Sequence, residues 1–326
     1  MGKLIKLIGL FMVFFGIGVY LYPAVSDVYT KHRTNESIEE FYQKYQIDET
    51  GSDKSTSDSG TESDTESDTK EVQSDRSEKF PELYKEIVNY NKSIYENGQE
   101  NFKDAWSYEQ TPINIDGLED GVFGYIEIPA MDNLKMPLYI GASYENMDKG
   151  ATVLGYTSIP IGGINTNSVI AGHRGWHKTS YFLYIENLTV GDKVYITNPW
   201  EKLTYRVESI DIIDPYDSDA VKIQEGKDMV TLVTCHPYMS HGKYRYVVYC
   251  VRDESGGSND KTVVKPSERT SEAPIKASDG TVYESSNKAI REEKMIRTIS
   301  AAVIVLMVFF TILYSGRAKK GSITPD

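Results

Sequence analysis

The sequence predicts a mainly β chain: a closed eight-stranded β-barrel with short helices and an N-terminal helical segment, flanked by two transmembrane helices. Three observations carry this reading. Short β-branched and aromatic runs recur between turn signals from about residue 121 to 252. One long apolar run lies near each end of the chain, with basic residues on its outer side. Polar stretches that cannot form a core separate those runs from the body.

The first apolar run extends from Leu7 to about Tyr22, after Lys3 and Lys6. The second extends from Ile299 to Tyr314, before Arg317, Lys319 and Lys320. Each reaches the roughly 20 residues of a membrane span once its flanks are included. Basic outer flanks put both termini in the cytoplasm and the segment between them outside. A cleaved signal peptide is the alternative for the first run. The residues after it, Tyr22-Pro-Ala-Val-Ser-Asp27, lack a clear small-x-small site, although Ala24 and Ser26 come close.

The expected layout begins with an N-terminal anchor at 1–26. A juxtamembrane helix and an acidic linker follow at 27–80, and Phe41, Tyr42, Tyr45 and Ile47 give the helical spacing. Residues 47–80 hold eleven Asp/Glu against four Lys/Arg and almost no large apolar side chain. Such a stretch cannot bury enough surface to offset its ordering entropy, so it reads as a disordered tether. It carries about half of the chain's net charge of −13. That acidity speaks against nucleic acid as a partner and says little about a site.

Residues 81–120 open with an amphipathic helix in which Leu83, Ile87 and Tyr90 recur at three to four positions. The barrel follows at 121–252. Its strand candidates are Phe123–Pro129, Met136–Ile140, Ser168–Ala171, Lys193–Thr197, Leu203–Ile210, Met229–Thr234 and Arg245–Val251. Gly162-Gly163, Gly191-Asp192 and Asn198-Pro199 punctuate them. Residues 253–290 read as a second disordered linker, and 291–326 as the C-terminal anchor with its basic tail.

Chemistry concentrates in Thr231-Leu-Val-Thr-Cys235 and in Arg245, which opens the next strand. If these strands pair as antiparallel neighbours with Cys235 opposite Arg245, the two side chains share a face. Cys250 then falls opposite a residue near 230 and points to the other side. At about 3.4 Å per residue it lies on the order of 17 Å from Cys235, beyond the roughly 7 Å reach of a disulfide. Cys235 is therefore expected to be a free thiol and Cys250 a small buried hydrophobe. A packed core residue is the bland reading of Cys235. An arginine beside a neutral thiol would make a poor core, whereas beside a thiolate or a developing oxyanion it makes electrostatic sense.

A proton carrier would complete the set, and the body holds His173, His177, His236 and His241. His236 should point away from Cys235 because it is the next residue on a strand. His241 lies in a loop and His177 in surface-like sequence. His173, in Ala171-Gly-His-Arg-Gly175, ends a strand at the barrel rim, but spacing alone does not single it out. A zinc site is the competing use of Cys and His and lacks paired ligand spacing.

These motifs resemble those of sortases, the membrane-anchored cysteine transpeptidases of Gram-positive bacteria. TLVTC at 231–235 with Arg245 is similar to the sortase signature, and AGHRGW at 171–176 to its histidine motif. Gly155-Tyr-Thr-Ser-Ile-Pro-Ile-Gly-Gly163 and the C-terminal apolar run resemble class C, the pilin-polymerising branch. The resemblance implies a sortase-type barrel with Cys235 as nucleophile, His173 as proton carrier and Arg245 as oxyanion or substrate clamp. It also implies a lid over the cysteine within 81–120, formed by Asp104 and Trp106. Ala105 stands where the class C motif has proline, and the loop before Arg245 differs in length.

The implied partners are surface proteins or pilins bearing an LPXTG-like sorting signal, an acceptor amine from a pilin lysine or a peptidoglycan precursor, and the membrane. No cofactor or metal is expected. The implied location is the plasma membrane, held by two transmembrane helices with the catalytic domain extracytoplasmic. The alternatives are a housekeeping-type enzyme that attaches proteins to peptidoglycan, a hydrolytic cysteine peptidase, and a non-catalytic binding module on the same barrel.

Overall fold

The computed structural model describes residues 2–47, 79–102, 113, 118, 121–175, 180–240, 242–253, 275–277 and 280–320. Side chains at 2–10, 12–13, 19, 23–24, 27, 275–276 and 309–320 are not among them. Asp104 and Trp106, His177, His241 and most of both linkers lie outside the described residues.

Eight strands close into a barrel: β1 (Val122–Ile128), β2 (Leu134–Ile140), β3 (Ala151–Val153), β4 (Thr166–Ala171), β5 (Lys193–Thr197), β6 (Lys202–Ile213), β7 (Asp228–His236) and β8 (Tyr244–Arg252). Around the barrel they run β1-β2-β3-β4-β7-β8-β6-β5, and β5 returns to β1. The pairs β2–β3 and β4–β7 are parallel and the rest are antiparallel. Seven strands match the β-branched runs of the sequence. The eighth, β3, has three residues, too few to show an alternation.

Alternation sorts the side chains into two groups. Ile126, Leu138, Val153, Ile170, Leu232 and Cys250 belong to the main buried cluster, which draws on every strand and fills the interior. Val169, Ala171, Val233 and Val247 take the opposite parity and pack outside with Phe102, Met147 and Leu154. The seam between β1 and β5 depends on Gly124, because a Cβ there would lie 1.9 Å from the Thr197 carbonyl oxygen.

The helix α1 (Gly2–Tyr45) contains the first apolar run and the expected juxtamembrane helix without a break. Its C-terminal end docks on the barrel. Ile38, Phe41 and Tyr45 bury against Tyr125, and the Tyr42 hydroxyl donates to Glu127 at 2.8 Å. Burial raises the Tyr42 phenol above its usual value, with the nearby Glu127 charge adding to it. The helix α2 (Pro81–Glu96) starts on proline and buries Ile87, Tyr90, Asn91 and Ile94. Asn91 pins it to the barrel by exchanging two hydrogen bonds with the backbone of Ile159. A one-turn helix, α3 (Tyr144–Lys149), is capped by the Ser143 hydroxyl.

Two findings bear on the expected anchors and linkers. The second apolar run lies in α4 (Asn287–Lys320), and Tyr20 donates to the Arg297 carbonyl, so α1 and α4 touch. Among the described residues, no helix is long and apolar enough to cross a membrane. The two transmembrane helices expected from the sequence are therefore not supported by the described residues. Both apolar runs fall partly on residues whose side chains lie outside that set.

The expected disordered linker at 253–290 meets a two-stranded ribbon, β9 (Ile275–Lys276) and β10 (Val282–Tyr283). Ala277 joins the interior cluster and Tyr283 packs against it. The ring of Tyr283 lies edge-on to His236 and Tyr244, with centroids 5.4 and 5.2 Å away. Aromatic burial, which composition alone does not reveal, orders this part of a polar stretch.

Candidate active site

The strands β7 and β8 pair with Cys235 opposite Arg245 and Val230 opposite Cys250. The face shared by Cys235 and Arg245 is the outer one, continuous with Val233 and Val247. Cys250 points into the barrel and is fully buried. Both cysteines are free. Burial pushes the Cys250 thiol well above its ordinary value, which makes it a poor nucleophile. Cys235 is half-buried.

Gly242 locates the thiol and the guanidinium relative to each other. A Cβ built on it would lie 2.7 Å from Arg245 Nη1 and 3.1 Å from Cys235 Sγ. The two groups are thus no farther apart than those distances laid end to end. Arg245 Nη1 donates to the carbonyls of Gly242 and Tyr244, which fixes the guanidinium beside the sulfur. A fixed cation there suits an oxyanion that develops when the thiol adds to a carbonyl.

The strand β4 runs parallel to β7 with Ala171 opposite Val233. The pairing continues past the strand end, because Gly172 N–H donates to Val233 and the Thr234 hydroxyl donates to the Gly172 carbonyl. Carried one residue further, this register aligns His173 with Cys235. Cys235 and Arg245 thus face each other across β7 and β8, and His173 lies two residues past the end of β4, beside the C-terminal end of β7. Phe182 holds His173 in place: its N–H donates to the His173 carbonyl, and its ring fills the space beside Gly172 that a Cβ would need. The His173 ring meets Tyr181 edge-on at 5.8 Å.

The remaining described histidine of the body, His236, takes the opposite parity. It is fully buried, with Nδ1 3.4 Å from Glu186 Oε1. Glu186 also binds Arg174 at 2.5 Å and accepts from the Ser285 hydroxyl and the Ser286 N–H. Burial pushes its carboxyl up, but the contacts to His236, Arg174 and Ser285 outweigh that and hold it well below the usual carboxylate range. The sequence reading missed Glu186 and Arg174. The available signal was a lone acid inside the apolar run Tyr181-Phe-Leu-Tyr-Ile-Glu186.

A Sortase domain family profile matches residues 126–253. The chain is similar to Sortase D of Bacillus subtilis strain 168, 27% identical over 39% of this chain and 61% of that protein. It thus spans about three fifths of that curated relative's length. It is similar to the putative sortase YwpE of the same strain, 36% identical over 21% of this chain and 67% of that protein. A solved structure of sortase C from Clostridium perfringens SM101 aligns with 57% of this chain and 96% of its own, at 35% identity and TM-score 0.46.

Proposed function

This chain belongs to the sortase family, and we propose that it is a membrane-anchored cysteine transpeptidase. Its substrate is an LPXTG-like sorting signal, and the acyl group passes to an amine. The observation that carries the reading is the pairing of Cys235 with Arg245 on the outer face of β7 and β8, with His173 two residues past the adjoining end of β4.

In this reading the Cys235 thiol gives its proton to His173, and its sulfur attacks the carbonyl carbon of the scissile peptide. The carbonyl oxygen becomes an oxyanion beside the Arg245 guanidinium. The intermediate collapses as the C–N bond breaks, and His173 gives a proton to the departing amine. A thioester to Cys235 remains. The acceptor amine then attacks the thioester and loses its proton to His173, and the sulfur leaves as the new amide forms.

The acceptor is a pilin lysine, as in class C. The support is the likeness of 155–163 to that branch and the second apolar run at the C-terminus. Asp104 and Trp106 serve as the lid of the same reading. Both apolar runs act as anchors: their length and basic flanks suit a bilayer, and α1 and α4 touch.

The test is turnover of a sorting-signal peptide with and without a lysine-containing acceptor. The expected result is an amide-linked product that needs both partners, is abolished in Cys235→Ala, and falls about 10²–10³-fold in Arg245→Ala. Cleavage that never depends on the amine would make the protein a peptidase. No Cys235-dependent cleavage would leave a binding module.

A further inference from the structure

His236 follows Cys235 on β7 and turns to the far side of the sheet, and Arg174 follows His173 in the bend after β4. On that side both reach one carboxylate. Glu186 Oε1 binds Arg174 Nη2 at 2.5 Å and lies 3.4 Å from His236 Nδ1. All three side chains are almost fully buried. The other oxygen, Oε2, takes the Ser285 hydroxyl at 2.8 Å and the Ser286 N–H at 2.7 Å. Tyr283 closes over His236 from the same segment, and Tyr238, three residues beyond Cys235, donates to Glu293 at 3.1 Å.

We propose that Glu186 is the positioning residue of the site. It ties the strand end that carries His173 to the one that carries Cys235, and the C-terminal segment 283–293 latches this tie from behind. The latch joins α4 to the site without touching substrate. A carboxylate suits the task because its two oxygens serve opposite sides at once, Arg174 and His236 on one and the two serine donors on the other. Ser285 and Ser286 direct Oε1 towards Arg174 and His236 by occupying Oε2. Loosening the latch therefore shifts the reacting groups relative to each other without removing any side chain of the outer face. A misplacement of about 1 Å can cost 10²-fold in rate.

This inference rests on the transpeptidase reading, and its test separates the two. The full chain is assayed as wild type, Cys235→Ala, Glu186→Gln, Ser285→Ala and Ser285→Thr. The readouts are kcat, KM, thermal unfolding and the rate of Cys235 alkylation by iodoacetamide. Glutamine keeps the shape of Glu186 but presents only one oxygen, so it satisfies one side only.

The expected result is a kcat lowered about 10–100-fold in Glu186→Gln and about 2–5-fold in Ser285→Ala, with KM unchanged. Ser285→Thr, which keeps the hydroxyl, restores the wild-type rate. If Glu186→Gln fails to fold, the serine pair decides. Wild-type kcat per folded molecule in Ser285→Ala, or a loss confined to unfolding temperature, overturns the proposal. If the wild type itself shows no Cys235-dependent turnover, the transpeptidase reading fails. The alkylation rate then decides the latch, with at least a threefold change expected in Ser285→Ala and none overturning it.

Discussion

Gly242 sets how closely the loop before β8 approaches the reacting groups. Its φ of +79° is in the left-handed region, and a Cβ would press on Arg245 Nη1 at 2.7 Å. Gly242→Ala should cost about 1–2 kcal/mol in backbone strain and displace the guanidinium from the thiol. The expected outcome is a kcat loss of at least tenfold, approaching that of Arg245→Ala, in a protein that remains folded; steady-state kinetics with thermal unfolding check it. At this scale the sequence was informative where alternation applied. The period of two is enough to put Cys235 and Arg245 on one face and Cys250 on the other, as β7 and β8 show. It could not single out His173, which lies past the end of β4 beside a parallel partner some 60 residues away in sequence. Local spacing carries no information on such a pairing.

Among the elements, the strands with clear alternation were legible and the shortest were not. The three residues of β3 and the two-residue strands of β9 and β10 are too short to show a period, and β3 is known only by its full burial in the barrel. The short 3₁₀ turn at Ile185–Asn187, which carries Glu186, was hidden for the same reason. This turn has a testable acid signature. The Glu186 carboxyl is depressed in the fold, so its stabilisation is complete above the unfolded-state value of about 4.3 and is lost as pH falls towards the folded value. Thermal unfolding should show no Glu186 contribution to its pH dependence between pH 5 and 8 and a decline below about pH 4. Glu186→Gln should flatten that acid decline. An acid limb of equal slope in the variant would assign the decline to other carboxylates.

Among the described residues the barrel lies between α1, docked through Phe41 and Tyr45, and α4, which follows the ribbon and Ser285. Both apolar runs were read directly from composition, and both lie in long helices. What composition could not reveal is that α1 continues unbroken into the docking helix and that α4 begins against the back of the site. In a Gram-positive host, the full chain should sediment with membranes and resist alkaline extraction. An impermeant thiol reagent should label Cys235 on intact cells and leave Cys250 unlabelled. Release by alkali, or labelling only after lysis, would contradict the proposed anchored, outward-facing arrangement.

In the proposed reaction Cys235 carries the acyl group between donor and acceptor. Intact-protein mass spectrometry of the chain mixed with a sorting-signal peptide, without acceptor amine, tests it most directly. The expected result is an adduct with the mass of the N-terminal peptide fragment, located on Cys235, discharged by an added amine and absent in Cys235→Ala. Turnover of the peptide with no adduct on Cys235, or an adduct that survives in Cys235→Ala, would contradict it.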